Sequence, residues 1–412
     1  MRGWPVLSWG MTRSRLLGLG LGVALVIAVA PPASAEEIDV STPMTWTVTG
    51  HGWGHGHGMS QYGAKGAAEQ GVGWKQIVGF YYPGTRLGRV HGPIKVLVTA
   101  DKRDVQVDAR DGLRLRPLTG KKTFVLAKVR PRATRWRILP KGSRSVVQFK
   151  VRSGWKRWAS FQGAAEFTAG NQPMTLRLPH HDTSSYRGAL RSLEKHTVNV
   201  LPIDRYVQGV VPSEVPTSWP ADAVRAQAVA ARSYAAYERA HATSYYDICD
   251  TTSCQVYGGA DAEDPASNAA VKKTRGRVVT YQGDPAFTQF SSSDGGWSST
   301  GTEPYLVAQP DPYEASSGNP YATWKATLTS ARIEKEWPAI GRLQHISITR
   351  DGHGDFGGRI LTATFSGSAG SVTVPGDDVR SLLGDDGRST WLQLQPATTK
   401  DLVRQLFSFS FP

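Results

Sequence analysis

The chain has 412 residues, 48 Lys and Arg against 34 Asp and Glu, a formal charge of +14, and only two cysteines. That length allows a large core, as one big domain or as two to three small ones. Beyond the first thirty-odd residues no segment is long and apolar enough to span a bilayer, and no solenoid repeat or long low-complexity linker interrupts the chain.

Arg13 and Arg15 precede the apolar run Leu16 to Ala30, and Ala33-Ser34-Ala35 offers the small residues a signal peptidase prefers. The run is broken by glycines at 18, 20 and 22 and followed by Pro31-Pro32, which favours cleavage over retention as an anchor. Residues 1–35 therefore read as a signal peptide, whose removal takes away three arginines and no acid, and the remaining chain as exported. Export turns the basic balance away from nucleic acid and towards the anionic polymers outside a cell: peptidoglycan, teichoic polymers or a membrane surface.

Residues 36–90 form an N-terminal segment carrying Gly50-His51-Gly52-Trp53-Gly54-His55-Gly56-His57-Gly58. Glycine at every second position leaves room for close approach of a backbone or a flat ligand. If extended, the run puts His51, Trp53, His55 and His57 on one face, where His55 and His57 can contact sugar, assist proton transfer or bind a metal. Residues 91–185 are β-rich and basic, with strands expected at Ile94–Val98 and Met174–Leu178. Thirteen Lys and Arg and no acid lie between Lys121 and Arg157. The alternations Arg130/Arg132, Arg135/Arg137 and Lys150/Arg152 predict basic strand faces, either for an anionic partner or simply solvated.

The segment 186–320 carries the chemistry. Val210-Val211-Pro212-Ser213-Glu214-Val215-Pro216 holds one acid between two prolines that fix the backbone on either side, so Glu214 is aimed by the chain. A helix is predicted over about 218–239, with Ser218 as N-cap and Pro220 in its first turn. Val224, Ala228, Ala231 and Ala235 give it a small-residue stripe, and Gln227, Ala231, Tyr234 and Glu238 the neighbouring face. The fold class is thus α+β: mainly strands and hairpins packed around a central Ala-rich helix. Cys249 and Cys254 read as one local disulfide, the alternative being a metal site with His241. Strands are predicted at 276–281 and 286–290, then a loop Ser291-Ser292-Ser293-Asp294-Gly295-Gly296. Residues 321–412 continue as a β-rich extension. Gln227, Arg232, Tyr234, Ser292, Ser293 and Gly295 are candidates to hold substrate, each with a bracing role as the alternative. No His/Asp arrangement supports a serine nucleophile.

The Pro-Ser-Glu-Val-Pro segment, the Ala-Gln-Ala-Val-Ala-Ala-Arg-Ser-Tyr helix, Cys254-Gln255-Val256-Tyr257-Gly258-Gly259 and the serine loop together resemble the stage II sporulation protein D family, SpoIID/LytB, from about Tyr186 to Leu306 and less specifically to Trp391. The glycine-histidine motif followed by Tyr81-Tyr82-Pro83-Gly84-Thr85 is similar to exported actinobacterial members. The resemblance implies an exported, wall-associated lytic transglycosylase that cuts peptidoglycan glycan strands, with Glu214 as the acid and no cofactor. It also implies an alternative, a non-catalytic amidase enhancer that stimulates a partner peptidoglycan amidase. Some members hold zinc near the position of Cys249, but the histidines that would join it there are missing.

Overall fold

The computed structural model describes residues 35–398 apart from 42 and 121. The signal-peptide reading thus falls outside the described residues except for Ala35. The architecture is α+β. Five helices of eight residues or more occur among the described residues: α1 Gln61–Glu69, α2 Trp74–Tyr81, α3 Ile203–Glu214, α4 Ala221–His241 and α5 Pro265–Lys273. None is long and apolar enough to cross a membrane.

Helix α4 is the hub. It touches α1, α2, α3 and α5 and the strand Arg277–Tyr281. Alanine both favours the helix and lets neighbours approach closely, and Ala226, Ala228, Ala230, Ala231 and Ala235 are fully buried on different sides of it. The helix begins at Ala221 with Pro220 at the cap position and no side-chain cap, so Ser218 does not cap it. A further helix, for which no expectation was set, precedes it: α3 ends on Glu214 and holds Pro212 in its last turn. Apolar Ile203, Tyr206, Val207, Val210 and Val211 recur at helical spacing and face the core, which explains a helix that Pro212 and Pro216 disguise.

A seven-stranded sheet carries Pro93–Val98, His196–Pro202 and Ala189–Leu193 side by side, with Ile248–Cys249 parallel at its edge. A six-stranded sheet carries the basic region, including Arg135–Lys141, Arg144–Val151 and Met174–Arg177. Several of its cations are spent internally. Arg135 pairs with Asp108, Arg137 with Asp104, and the Arg137 guanidinium lies 4.2 Å from the centre of the Trp155 ring. Arg130 and Arg132 lie in a helix end and a turn, not on a strand. The strand expected at 286–290 is also absent: Asp284–Pro285 pairs back on Arg277–Tyr281, and the ladder resumes only at Phe290–Ser291.

The ends of the described chain meet. Thr45–Gly50 is the middle strand between Trp324–Thr329 and Leu392–Pro396, and Glu36–Asp39 pairs with Leu343–Arg350. Trp46 and Val48 are fully buried in the resulting apolar cluster with Leu343, Ile346 and Phe365. This arrangement feeds the glycine-histidine motif directly into the centre of the molecule.

Candidate active site

The glycine-histidine motif is not an extended strand. Gly52, Gly54, Gly56 and Gly58 all have positive φ, which turns every second residue and sends the large side chains in different directions. At Gly58 a Cβ would sit 2.2 Å from the carbonyl oxygen of Gln289, so glycine is required by contact as well as by φ. His51 accordingly packs on Phe356 and Trp391, Trp53 on Tyr321, and only His55 and His57 stack on each other, 4.8 Å apart. The expected single face is thus corrected: the turning backbone disperses it.

The motif laces into the serine loop. Met59–Ser60 runs parallel to Phe290–Ser291, Trp53 bridges Ser293, and His57 bridges Ser299. Ser60 then caps α1, accepting from the Gly63 N–H at 3.0 Å. The first residue of α1 is Gln61, and its buried side chain reaches Glu214. Four stretches distant in sequence therefore converge: the motif, the end of α3, the disulfide turn and residues 289–290.

They enclose a cleft of about 340 Å³ lined by His55, Glu214, Tyr234, residues 252–256, Gln289 and Phe290. Glu214 is the one carboxylate among the described residues lining it. Burial pushes its carboxyl up to about 7, against the donors of Gln61 and the Val256 backbone, which favour the anion. Glu214 ends α3, where the helix dipole presents its negative pole and also disfavours the anion.

Tyr234 is brought to the cleft as predicted. Burial raises its phenol to about 12, so it stays a neutral donor. His55 also reaches the cleft, opening onto it. Desolvation by the surrounding protein, then repulsion from His57 and Arg359, pushes it down to about 3. Its Nδ1 accepts the His57 N–H at 2.9 Å, and the Phe290 carbonyl faces the ring. His55 thus stands in the cleft wall with its neutral form favoured. His57 points instead to the Ser299 carbonyl.

The remaining candidates lie elsewhere. Arg232 is fully buried, bound to Asp204 at 2.8 Å and to the carbonyls of Ala228, Val271 and Arg277; it braces α3, α4 and α5 and has no route to a substrate. Gln227 is fully buried in α4, and neither polar atom of its amide has a partner among the described residues. Ser293 and Gly295 face Glu314, a buried acid that also receives Ser60 and Asn319; the Ser292 carbonyl accepts the Tyr62 N–H. The serine loop thus shapes the cleft from behind. Tyr82 supports it in the same way, donating to the Gln289 carbonyl at 2.8 Å.

Cys249 and Cys254 are joined as a disulfide, which takes both sulfurs out of any thiolate metal set. His241 bonds the Tyr237 carbonyl within its own helix, so the donor set imagined for zinc does not assemble. The disulfide turn instead presents Thr252, Ser253, Gln255 and Val256 to the cleft. Sequence reasoning missed Gln61, Gln255, Val256, Gln289 and Phe290. Two slight signals were present: Gln61 lies three residues beyond Gly58 of the glycine-histidine motif, and Gln255-Val256 directly follows Cys254.

Residues 192–281 match the family model described as SpoIID, stage II sporulation protein. The chain is 34% identical over 134 residues to a Bacillus subtilis (strain 168) protein named amidase enhancer, covering 31% of this chain and 17% of that protein. It is 28% identical over 239 residues to stage II sporulation protein D of the same organism, covering 51% of this chain and 64% of that protein. An uncharacterized protein of Brachyspira hyodysenteriae is 38% identical over 115 residues, 27% of this chain and 31% of that one. The chain spans less than two thirds of the length of each. The family match includes Glu214, α4 and the disulfide turn, and leaves outside it the glycine-histidine motif and the serine loop.

Proposed function

We propose that this chain, whose residues 192–281 match the SpoIID family model, acts on the cell wall as a lytic transglycosylase that cuts peptidoglycan glycan strands with Glu214 as its only acid/base group. The observation that carries this reading is a single carboxylate, raised to about 7, opening on a cleft lined otherwise by neutral polar and apolar groups.

Hydrolytic glycosidases need two carboxyl groups because one must act on the leaving oxygen and the other on water or the anomeric carbon. Transglycosylation inside one sugar dispenses with water. Protonated Glu214 gives its proton to the glycosidic oxygen as the anomeric C–O bond breaks. The muramyl primary hydroxyl attacks the anomeric carbon, and the Glu214 carboxylate takes the proton that this hydroxyl loses. The strand leaves with a 1,6-anhydromuramyl end, and the acid is restored. Gln61 and the Val256 N–H steady the carboxylate while it is charged, and Tyr234 donates to the sugar. No step passes through a metal.

A second reading is favoured by the relative named amidase enhancer: the chain binds wall glycan and stimulates a separate amidase without cutting. Purified protein incubated with intact and peptide-stripped glycan strands separates the two. Anhydromuramyl products from wild type and none from Glu214→Gln are expected. Binding without cleavage by both, with amidase stimulation untouched by the substitution, would replace the enzyme reading with the enhancer one.

A further inference from the structure

Four aromatic side chains from three stretches of the chain form a continuous row near the cleft. Trp219, in the connection between Glu214 and α4, lies 5.0 Å from Tyr62; Tyr62 lies 5.9 Å from Tyr321; and Tyr321 lies 4.4 Å from Trp53. Tyr62 follows in sequence on Gln61, whose side chain contacts Glu214, so the row passes near the cleft. Trp53 is 39% exposed and the other three rings are half-buried, unlike Trp136, which is fully buried in the main core.

The polar tips of this half-exposed row are left without protein partners among the described residues. Here the phenols of Tyr62 and Tyr321 and the indole N–H groups of Trp53 and Trp219 make no hydrogen bond among the described residues, while Trp324 and Trp391, packed nearby, both donate theirs to carbonyls. At the far end the Arg388 guanidinium stacks 4.9 Å from Trp53 and 5.2 Å from Tyr321 and forms no ion pair among the described residues. Apolar faces with free donors at their edges suit sugar rings, whose C–H faces pack on aromatics and whose hydroxyls accept at the rim. A free, stacked guanidinium suits a carboxylate.

We propose that Trp219, Tyr62, Tyr321 and Trp53, ending in Arg388, form an extended binding subsite for an acidic amino-sugar glycan strand, holding sugars remote from the bond at Glu214 and reading their free carboxylates through Arg388. The proposal rests on a glycan strand being the ligand of the Glu214 cleft, and does not require that the strand be cut.

The test measures binding of peptide-stripped glycan strands of graded length to the full chain carrying Glu214→Gln, so that no strand is consumed. Adding Trp53→Ala is expected to weaken long strands by about fivefold to tenfold and to abolish the preference for long over short ones, with Trp53→Phe restoring most of the loss. Arg388→Gln is expected to weaken strands with free carboxylates, and methyl-esterified strands are expected to bind the parent and this variant alike. A Trp53→Ala protein with an unchanged melting temperature that binds long strands at parental strength overturns the subsite and leaves the cleft reading standing. Failure of the parent to bind any strand overturns both. Length-dependent, Trp53-dependent binding by a chain that cuts nothing keeps the subsite and removes the catalytic reading alone.

Discussion

Glu214 and Glu314 are both carboxyl groups pushed up to about 7 chiefly by burial, yet their surroundings differ in kind. Glu314 is almost wholly buried and accepts from Ser60, Ser293, Asn319 and the Gly295 N–H, with Asp294 and Asp311 beside it. Every direction from which a substrate could approach is occupied by a group that holds the motif to the serine loop. Glu214 is half-buried, has two donors, and faces a cavity. A raised pKa alone therefore does not separate the two; the open space that Glu214 faces does.

The contrast can be broken from either side. Glu214→Gln should reduce glycan cleavage by about 10²- to 10⁴-fold, the usual contribution of a general acid/base, measured as anhydromuramyl ends released per minute. Glu314→Ala should instead cost about 3 kcal/mol of stability in denaturant unfolding, because it strands several buried donors. The two variants would exchange phenotypes if the assignments were reversed.

A pH series sharpens the comparison. The folded protein holds the Glu214 proton up to about pH 7, whereas the unfolded chain releases it near 4.5. The folded state thus binds more protons between those values, and its stability from this group is fullest below 4.5 and falls as pH rises towards 7. Gln carries no such penalty. Glu214→Gln should therefore melt higher than wild type at pH 8, by the equivalent of roughly 2–3 kcal/mol, with the difference vanishing near pH 4. Cleavage by wild type should decline above pH 7 as the acid loses its proton. The smallest effect is expected at the disulfide. Replacing Cys254 with Ser opens a short loop worth about 2 kcal/mol at most, and should show mainly as weaker strand binding, since residues 252–256 form one wall of the cleft.

What the sequence made legible was local. Glu214 stands out because prolines flank it, the α4 hub because alanines crowd one segment, and the Cys249–Cys254 pair because so few residues separate the two. The same prolines concealed α3, which ends on Glu214. The glycine-histidine alternation suggested a strand because period two is the strand signature, while positive φ at each glycine produces the same spacing with a turning backbone. Gln61, Gln289 and Phe290 carried little local signal. Their place beside Glu214 follows from pairing between Met59–Ser60 and Phe290–Ser291, a contact between distant stretches that periodicity does not encode. Arg232 was misjudged for a related reason: its partner Asp204 lies on a helix that the sequence did not announce.

The middle position of Thr45–Gly50, between Trp324–Thr329 and Leu392–Pro396, bears on assembly. The His55 wall follows directly from the same strand, so one side of the cleft is fastened by pairings between stretches far apart in the chain, and closure of so long a loop is slow and costly in entropy.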